Sequence, residues 1–198
     1  MAWEQSKAAK RRFNDGMFHS RYFAGSGLDV GGKPDPLQQY VGVFPLLKSV
    51  RTWDLEDGDA QDLAGVPDAS VDFVHSSHCL EHMNDVYVAV ENWIRVIRPG
   101  GYLIITVPDE DLYERGEWPS RRNSDHKWSF TLHKQKSWAP RSINVLDIAR
   151  DFSAELETER LWLLRDFFRD NLLAQLPDQT LTPVAECAIE FIARKRGY

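Results

Sequence analysis

Two segments in the first third of the chain combine acids and glycines in a way that suits a nucleotide-like ligand. In the first, GLDVGGKPDP at 27–36, Asp29 precedes Gly31 and Gly32. Glycine lets the backbone approach a ligand closely, and the Asp29 carboxylate can hold amides or an ammonium group in place. A tight turn without a ligand has the same pattern, so this segment alone leaves both interpretations open.

The second segment begins at Asp54, which lies 22 residues after Gly32 and ends the sequence VRTWD. Dinucleotide-binding folds place an acid at about this spacing to accept hydrogen bonds from ribose hydroxyls. In the following GDAQDL, Asp59 can accept a bond from an adenine amino group while Ala60 lines the base. The alternative for Asp54 is a solvated loop acid.

These side chains need strands to position them. Apolar segments predict strands at 28–30, 50–54, 70–77 and 101–107. Asp85 is a good N-cap for a helix between the last two strands, and Pro99 ends that helix. Strand, helix and strand in this order form a βαβ unit, which builds a parallel sheet. Ligands of such sheets bind at the carboxyl ends of the strands, where we expect Asp29 and Asp54.

The other segments complete the expected fold. They predict a weakly packed helix at 3–13, a helix at 142–152, a final strand at 184–196, and a helix or a strand at both 36–47 and 155–167. A chain of 198 residues is long enough for one substantial core. We expect a single α/β domain over residues 1–198, with a doubly wound, mostly parallel Rossmann-like sheet and an antiparallel last strand.

Four segments resemble the successive motifs of a known family. GLDVGG, GDAQDL, SVDFVHSSHCLEHM and NWIRVIRPGGYLIITVPDE follow one another between about residues 25 and 110. In this order and spacing they resemble class I S-adenosylmethionine-dependent methyltransferases, in the small single-domain group called type 11. VPDEDLYE and DHKWSFT are further similar to small members found among bacterial surface-polysaccharide genes. The resemblance implies methyl transfer from S-adenosylmethionine to a small-molecule or sugar-containing acceptor, with a role in surface polysaccharide biosynthesis.

The resemblance also implies cofactor-binding residues. The methionine part would be surrounded by Asp29, Gly31 and Gly32 and lined by residues from Ser76 to His78, the ribose would be bound by Asp54, and the adenine by Asp59 and Ala60. The chain departs from the family pattern at Lys33, which replaces the third glycine and is followed by Pro34. The space between Asp54 and Asp59 is too short for the usual helix and third strand, so we expect the fold to be abbreviated between strands 2 and 4.

Residues 108–141 carry three tryptophans, many charges and no clear period, as is typical of a lid or acceptor-binding loop. For a hydroxyl acceptor a general base helps, and His126 is the first candidate, with His78 second. The residues available to stack on or bind an acceptor are Trp118, Trp128, Phe130, Trp138, Arg121, Arg122, Lys127, Lys134 and Lys136. The alternatives are a surface histidine without a role, tryptophans that only pack the lid, and a single-stranded nucleic acid ligand, which the overall charge disfavours.

Two other functions fit parts of the sequence. HCLEH at 78–82 satisfies the H-x-x-E-H pattern of a zinc hydrolase. That pattern needs both histidines on one long helix, whereas here they follow a strand and the predicted helix begins only at Asp85. We therefore expect no metal at this motif and a packed, hydrogen-bonded His82. A degenerate cofactor-binding module without turnover is the second alternative.

Composition limits the setting in which the protein works. The net charge of -6 argues against a general nucleic-acid or membrane-surface binder. The two cysteines, Cys79 and Cys187, predict free thiols in a reducing compartment. No stretch resembles a membrane span or an export signal, so we expect a cytoplasmic protein. The sequence does not indicate an oligomeric state.

Overall fold

A six-stranded sheet forms the centre of the molecule in the computed structural model, which describes residues 4–169 and 178–197. The strands of the chain are β1 (Gly25–Val30), β2 (Leu47–Trp53), β3 (Val71–Ser77), β4 (Ile97–Pro108), β5 (Ser129–Thr131), β6 (Ser142–Asn144), β7 (Leu156–Leu164) and β8 (Ala188–Lys195). The order in the central sheet is β2-β1-β3-β4-β8-β7. Strand β8 is antiparallel to both of its neighbours, and the other pairs are parallel. The predicted fold class, with its antiparallel last strand, is confirmed.

The helices cover both faces of this sheet. They are α1 (Glu4–Arg12), α2 (Val86–Val96) and α3 (Val145–Asp151). Asp85 caps α2 as predicted, because its carboxylate accepts hydrogen bonds from the amides of Tyr87 and Val88. The apolar side of α2, which includes Val90 and Trp93, packs with the main core on one face. A second core around Phe18, Phe23 and Phe73 lies on the other face. None of the described helices has the length and apolarity needed to cross a membrane.

The sheet is abbreviated where the sequence predicts it. Residues 54–70 form only turns and irregular backbone between β2 and β3, so β2 is an edge strand with no further described strand beside it. The loop at 54–70 therefore connects β2 to β3 without a further helix or strand, and it begins with Asp54 at the carboxyl end of β2.

Helix α1 packs more tightly than expected. The prediction of a weakly packed face is wrong because polar side chains anchor the helix: Arg12 is fully buried and pairs with buried Glu190 of β8 at 2.9 Å. Arg11 binds Glu186 and the same Glu190. A search for apolar periodicity does not detect burial of this kind, because each charge is compensated by a distant partner.

The ambiguous segments are now assigned. The 36–47 region holds a single 3-10 turn, Leu37–Tyr40, before β2 begins, and 155–167 is mainly strand β7. The 142–152 segment divides into strand β6 and helix α3. Within 108–141, a short π-helix at Glu110–Glu114 and strand β5, which pairs with β6, order the segment that the sequence predicts to be a lid.

Candidate functional site

A cleft runs along the carboxyl ends of β1, β2 and β3. It consists of two adjoining cavities of about 450 Å³ and 570 Å³, which we call the first and the second cavity. Both are within the usual size range of small-molecule sites. The two cavities share walls formed by Gly31, Lys33, His78 and His82. The sequence prediction that the motif turns converge on one edge of the sheet therefore agrees with the position of the cleft.

Asp29 lines the first cavity, but its carboxylate is occupied by the protein itself. One oxygen accepts a hydrogen bond from the amide of Leu37 at 2.7 Å, and the other from Nδ1 of His75 at 2.7 Å. Arg12 donates in turn to Nε2 of His75 at 3.0 Å. Burial lowers the pKa of His75 and outweighs the raising effect of Asp29, which keeps the imidazole neutral. Asp29 thus fixes the loop from Gly31 to Leu37 through both oxygens.

The two glycines of the motif are required by close packing within the protein. Gly31 has a φ of +70°, and a Cβ there would lie 2.5 Å from the Cys79 sulfur. A Cβ on Gly32 would lie 2.2 Å from a carboxylate oxygen of Asp29. The backbone of this turn therefore forms the cleft wall, with no side chain between it and a ligand.

The second cavity has an acidic rim and an apolar wall. Asp54 follows β2 directly and accepts hydrogen bonds from the amides of Lys33 at 3.0 Å and Leu55 at 2.9 Å. Asp59 and Ala60 line the same cavity, and exposed Asp59 accepts a bond from the amide of Gln61. The apolar side chains in the wall are Trp53, Leu55, Ala60, Cys79 and Met83. Acids beside an apolar surface suit the ribose and base of a nucleoside.

Lys33, the departure from the family pattern, lines both cavities. Its side chain is about half exposed at the rim and pairs with Glu56. Its backbone amide is the group that binds Asp54, a contact that a glycine would also make.

Of the residues predicted to line the methionine site at the end of β3, some face the cleft and one does not. Ser76 is fully buried and lies outside the walls of both cavities, whereas its neighbour Ser77 lines the first cavity. Strand alternation sends successive side chains to opposite faces, which explains the difference. His78 lines both cavities and has a φ of +54°. Burial, together with the charge of His126, lowers the pKa of His78 well below its usual range.

His126 enters the first cavity from the lid. Its Nδ1 lies 2.6 Å from Oε1 of Glu114, and its ring stacks on Tyr113 with centroids 5.6 Å apart. Burial lowers the pKa of His126, but the hydrogen bond to Glu114 and the nearby Glu81 outweigh this effect and raise it. The side chain is therefore an oriented group and not a free surface histidine.

The lid aromatics predicted to stack on an acceptor, which are Trp118, Trp128, Phe130 and Trp138, line neither cavity. Phe130 is fully buried, and Trp128 donates its indole N–H to the carbonyl of Met83 at 3.0 Å. Trp138 donates to Asp111 at 3.0 Å on the outer surface. For these three residues the packing alternative agrees with the structure. Of the basic lid residues, Arg122 lines the first cavity and Lys127 the second.

Several cleft residues were not anticipated from the sequence. Glu4 and Gln5 reach the first cavity from α1, and Tyr113 reaches it from the π-helix after β4. Burial raises the pKa of Glu4 to about 7, although Lys7 opposes this shift. The polar side of an N-terminal helix carries no motif, so only the packing of α1 on the sheet could identify these residues. Glu81 also lines this cavity; it lies within the HCLEH motif, but the sequence analysis assigns it no role.

The helix required by the zinc-hydrolase pattern does not form. Leu80–His82 is a three-residue 3-10 turn, and α2 begins only at Val86. His78 and His82 therefore do not lie one helical turn apart on a common α-helix, and the geometry of that hydrolase site is absent from the described part of the chain.

A comparison with known proteins supports the resemblance. A family model described as Methyltransferase domain, of the type 11 group, matches residues 42–105. No curated protein matches the sequence.

Solved structures share the fold over nearly the whole chain. An S-adenosylmethionine-dependent methyltransferase from Archaeoglobus fulgidus has a TM-score of 0.62 at 15% identity, covering 98% of this chain and 95% of that one. A second such enzyme, from Aquifex aeolicus, has a TM-score of 0.53 at 12% identity, covering 97% and 90%. A chain of the Haloferax volcanii complex that contains the Trm112 methyltransferase activator has a TM-score of 0.64 at 14% identity, covering 98% and 90%.

The family match and the fold agree with the motifs seen in the sequence, and S-adenosylmethionine is the cofactor that they imply. Residues 42–105 thus match the type 11 methyltransferase model, and the chain shares the fold of solved S-adenosylmethionine-dependent methyltransferases.

Proposed function

We propose that the chain transfers the methyl group of S-adenosylmethionine to a hydroxyl group of a small, carbohydrate-type acceptor. The observation that carries this proposal is that two cavities with different linings adjoin each other. The second cavity has acids beside an apolar wall, which suit a nucleoside, and the first is lined almost entirely by polar side chains. His78 stands where the cavities meet.

We infer one orientation of the cofactor from the residues that line the cleft. Its adenosine suits the second cavity, where Asp54 would accept from the ribose and Asp59 and Ala60 would lie beside the adenine. The methionine end would pass Gly31 toward the first cavity. There the side-chain nitrogen of Gln5 is buried and has no hydrogen-bond partner among the described residues, so it is available to donate to the cofactor carboxylate.

The bound cofactor supplies a methyl group that is already activated by the positive charge of its sulfur. The protein then has to hold the acceptor oxygen about 3 Å from that methyl group and in line with the leaving sulfur. As the new O–C bond forms and the C–S bond breaks, the electron pair of the broken bond stays on sulfur. His78, whose lowered pKa keeps it neutral, accepts the hydroxyl proton.

The first cavity suits an acceptor with several hydroxyl groups. Its outer wall offers the carboxyl of Glu4, the phenol of Tyr113, the guanidinium of Arg122 and the amide of Asn123. Hydroxyl groups donate and accept hydrogen bonds, so a polyol can satisfy such a mixed set of partners. A flat apolar acceptor would leave them unpaired. The role in surface polysaccharide biosynthesis rests on the sequence resemblance and stays part of this proposal.

Two measurements test the proposed function. Calorimetry with S-adenosylhomocysteine should show binding, and its absence at near-millimolar concentration would overturn the cofactor assignment. Labelled S-adenosylmethionine should then methylate hydroxyl groups within a panel of sugars and nucleotide sugars. Tight cofactor binding with transfer to amines only would overturn the proposed acceptor class. Tight cofactor binding with transfer to no member of a broad panel would support a binding module without turnover.

A further inference from the structure

Three imidazoles face one buried carboxylate at the floor of the first cavity. Oε1 of Glu81 lies 3.8 Å from Nε2 of His82, 3.8 Å from Nε2 of His126 and 3.7 Å from Nδ1 of His78. The ligand-type atoms of Glu81, His82 and His126 all lie within 4.8 Å of one another. Glu81 comes from the turn after β3 and His126 from the lid, so the fold alone brings them together.

The Glu81 carboxylate lacks the hydrogen bonds that its burial requires. The residue is fully buried, and neither oxygen has a hydrogen-bond partner among the described residues. An unpaired buried carboxylate costs several kcal/mol, so such groups are normally paired or bind metal. The separations of 3.7 to 3.8 Å are too long for hydrogen bonds. They are close to the distance of about 3.4 Å between ligand atoms of a tetrahedral zinc site.

The outer nitrogens of two histidines are already held by acceptors. Nδ1 of His126 lies 2.6 Å from Oε1 of Glu114, and Nδ1 of His82 lies 3.0 Å from Asp125. In the neutral rings, donation through Nδ1 leaves Nε2 with a lone pair, and both Nε2 atoms face Glu81. A metal ion bound there would take the place of the second proton of the imidazolium. Metal-bound histidines usually have such a carboxylate behind them, which fixes the tautomer and orients the ring.

The backbone holds the lid against the Glu81 turn. The carbonyl of Glu81 accepts hydrogen bonds from the amide of Lys127 at 2.9 Å and from that of Trp128 at 3.2 Å. These bonds fix the residue next to His126, so the imidazole is positioned before any ligand binds.

We propose that Glu81, His82 and His126 bind one divalent transition-metal ion of the zinc type. Two imidazole nitrogens and one carboxylate oxygen suit zinc, and three protein ligands leave a position open. His82 and His126 both line the first cavity, so the open position faces the space assigned to the acceptor. The binding of an acceptor hydroxyl to this metal rests on the proposed function. The binding of the metal by the three side chains is independent of that function.

Metal binding is measured directly on the whole protein. After removal of metal with a chelator, Zn²⁺ is titrated by calorimetry, and Co²⁺ is added to a second sample to record its visible absorption. We expect about one equivalent of Zn²⁺ with micromolar or tighter affinity and an intense tetrahedral-type Co²⁺ spectrum. Substoichiometric binding at high micromolar Zn²⁺ would overturn the proposal.

Variants locate the metal. Glu81→Gln, which keeps the side-chain shape, and His126→Ala should each weaken Zn²⁺ binding by about 100-fold or more, and Glu114→Gln by about 10- to 100-fold. His133→Ala removes an exposed histidine outside the cleft and should bind as the parent does. Equal binding by Glu81→Gln and the parent would contradict the site. S-adenosylhomocysteine binding to the metal-free protein, measured in parallel, distinguishes failure of the metal site from failure of the cofactor assignment.

Discussion

His75 donates its Nδ1 proton to Asp29 across 2.7 Å, in the fully buried interior behind the cleft. The direction of this bond is fixed, because Nε2 of the same ring accepts from Arg12 at 3.0 Å. Helix α1 is thereby linked through one imidazole to the glycine turn. Both oxygens of the acid in the first motif are hydrogen-bonded within the protein, one to His75 and one to the amide of Leu37.

Asp29→Asn should destabilise the fold, even though the change is isosteric. An asparagine has one acceptor oxygen, so its NH₂ group would face either the His75 N–H or the Leu37 amide, and the His75 tautomer cannot reverse without losing Arg12. We expect a loss of about 1 to 3 kcal/mol in the free energy of unfolding, measured with urea. Asp68→Asn is the control, since that exposed acid pairs with Arg95 on the surface and its loss should cost less than about 1 kcal/mol. Equal losses in the two variants would contradict the buried network.

Gly32→Ala tests the close packing of the turn. The added Cβ would lie 2.2 Å from Asp29 and 3.0 Å from Thr52, so the loop or the carboxylate must move. We expect a loss of about 1 to 3 kcal/mol in stability and weaker S-adenosylhomocysteine binding. Gly42→Ala, where no heavy atom lies within 4 Å of the added Cβ, should change neither quantity measurably. A stable Gly32→Ala variant with parental affinity would show that the turn adapts without cost.

Asp54→Asn should weaken cofactor binding more than folding. A carboxylate at this position can accept two ribose hydroxyl bonds, and charged hydrogen bonds contribute about 1.5 to 3 kcal/mol each. We expect the Kd for S-adenosylhomocysteine to rise by about 10- to 100-fold in calorimetry. Lys33→Ala keeps the backbone amide that binds Asp54 and should stay within about threefold of the parent. A larger effect of Lys33→Ala than of Asp54→Asn would place the ribose elsewhere.

Local patterns explain which parts of the molecule the sequence predicts. The apolar segments of β3 and β4 and the Asp85 cap are each defined by a few neighbouring residues, so the sequence predicts the βαβ unit without knowledge of distant contacts. The Arg12–Glu190 pair and the Glu81–His126 approach join residues far apart in the chain, and no local pattern encodes them. Ser76 illustrates the same limit at short range, because an offset of one residue decides whether a strand side chain faces the cleft or the core.

His78→Asn should separate catalysis from binding. Asparagine tolerates the positive φ of 54° at this position better than most residues, so the fold should persist while the proton acceptor is lost. We expect kcat to fall by about 10²- to 10⁴-fold, with the Kd for S-adenosylhomocysteine within about threefold of the parent. His133→Asn, at an exposed site in the lid, provides the control for histidine loss. An unchanged kcat in His78→Asn would exclude this residue as the base.

Glu190 should make the stability of the protein sensitive to acid. Burial alone would raise the pKa of Glu190, but the charges of Arg12 and Arg11 outweigh it and lower the pKa from 4.5 to about 2. Since the folded pKa lies below the unfolded one, the stabilisation is fully present above about pH 4.5 and is lost as the pH falls toward about 2.

Glu190→Gln removes this titration and leaves the two arginines without their shared partner. We expect a loss of about 3 to 5 kcal/mol at neutral pH in urea unfolding, because an uncompensated buried charge remains. The difference between variant and parent should shrink between about pH 4.5 and pH 2, where the parent loses its own contribution. Glu157→Gln, at an exposed position on β7, should follow the parent at every pH. A constant difference between Glu190→Gln and the parent across this range would show that Glu190 does not titrate as its burial and its arginine partners require.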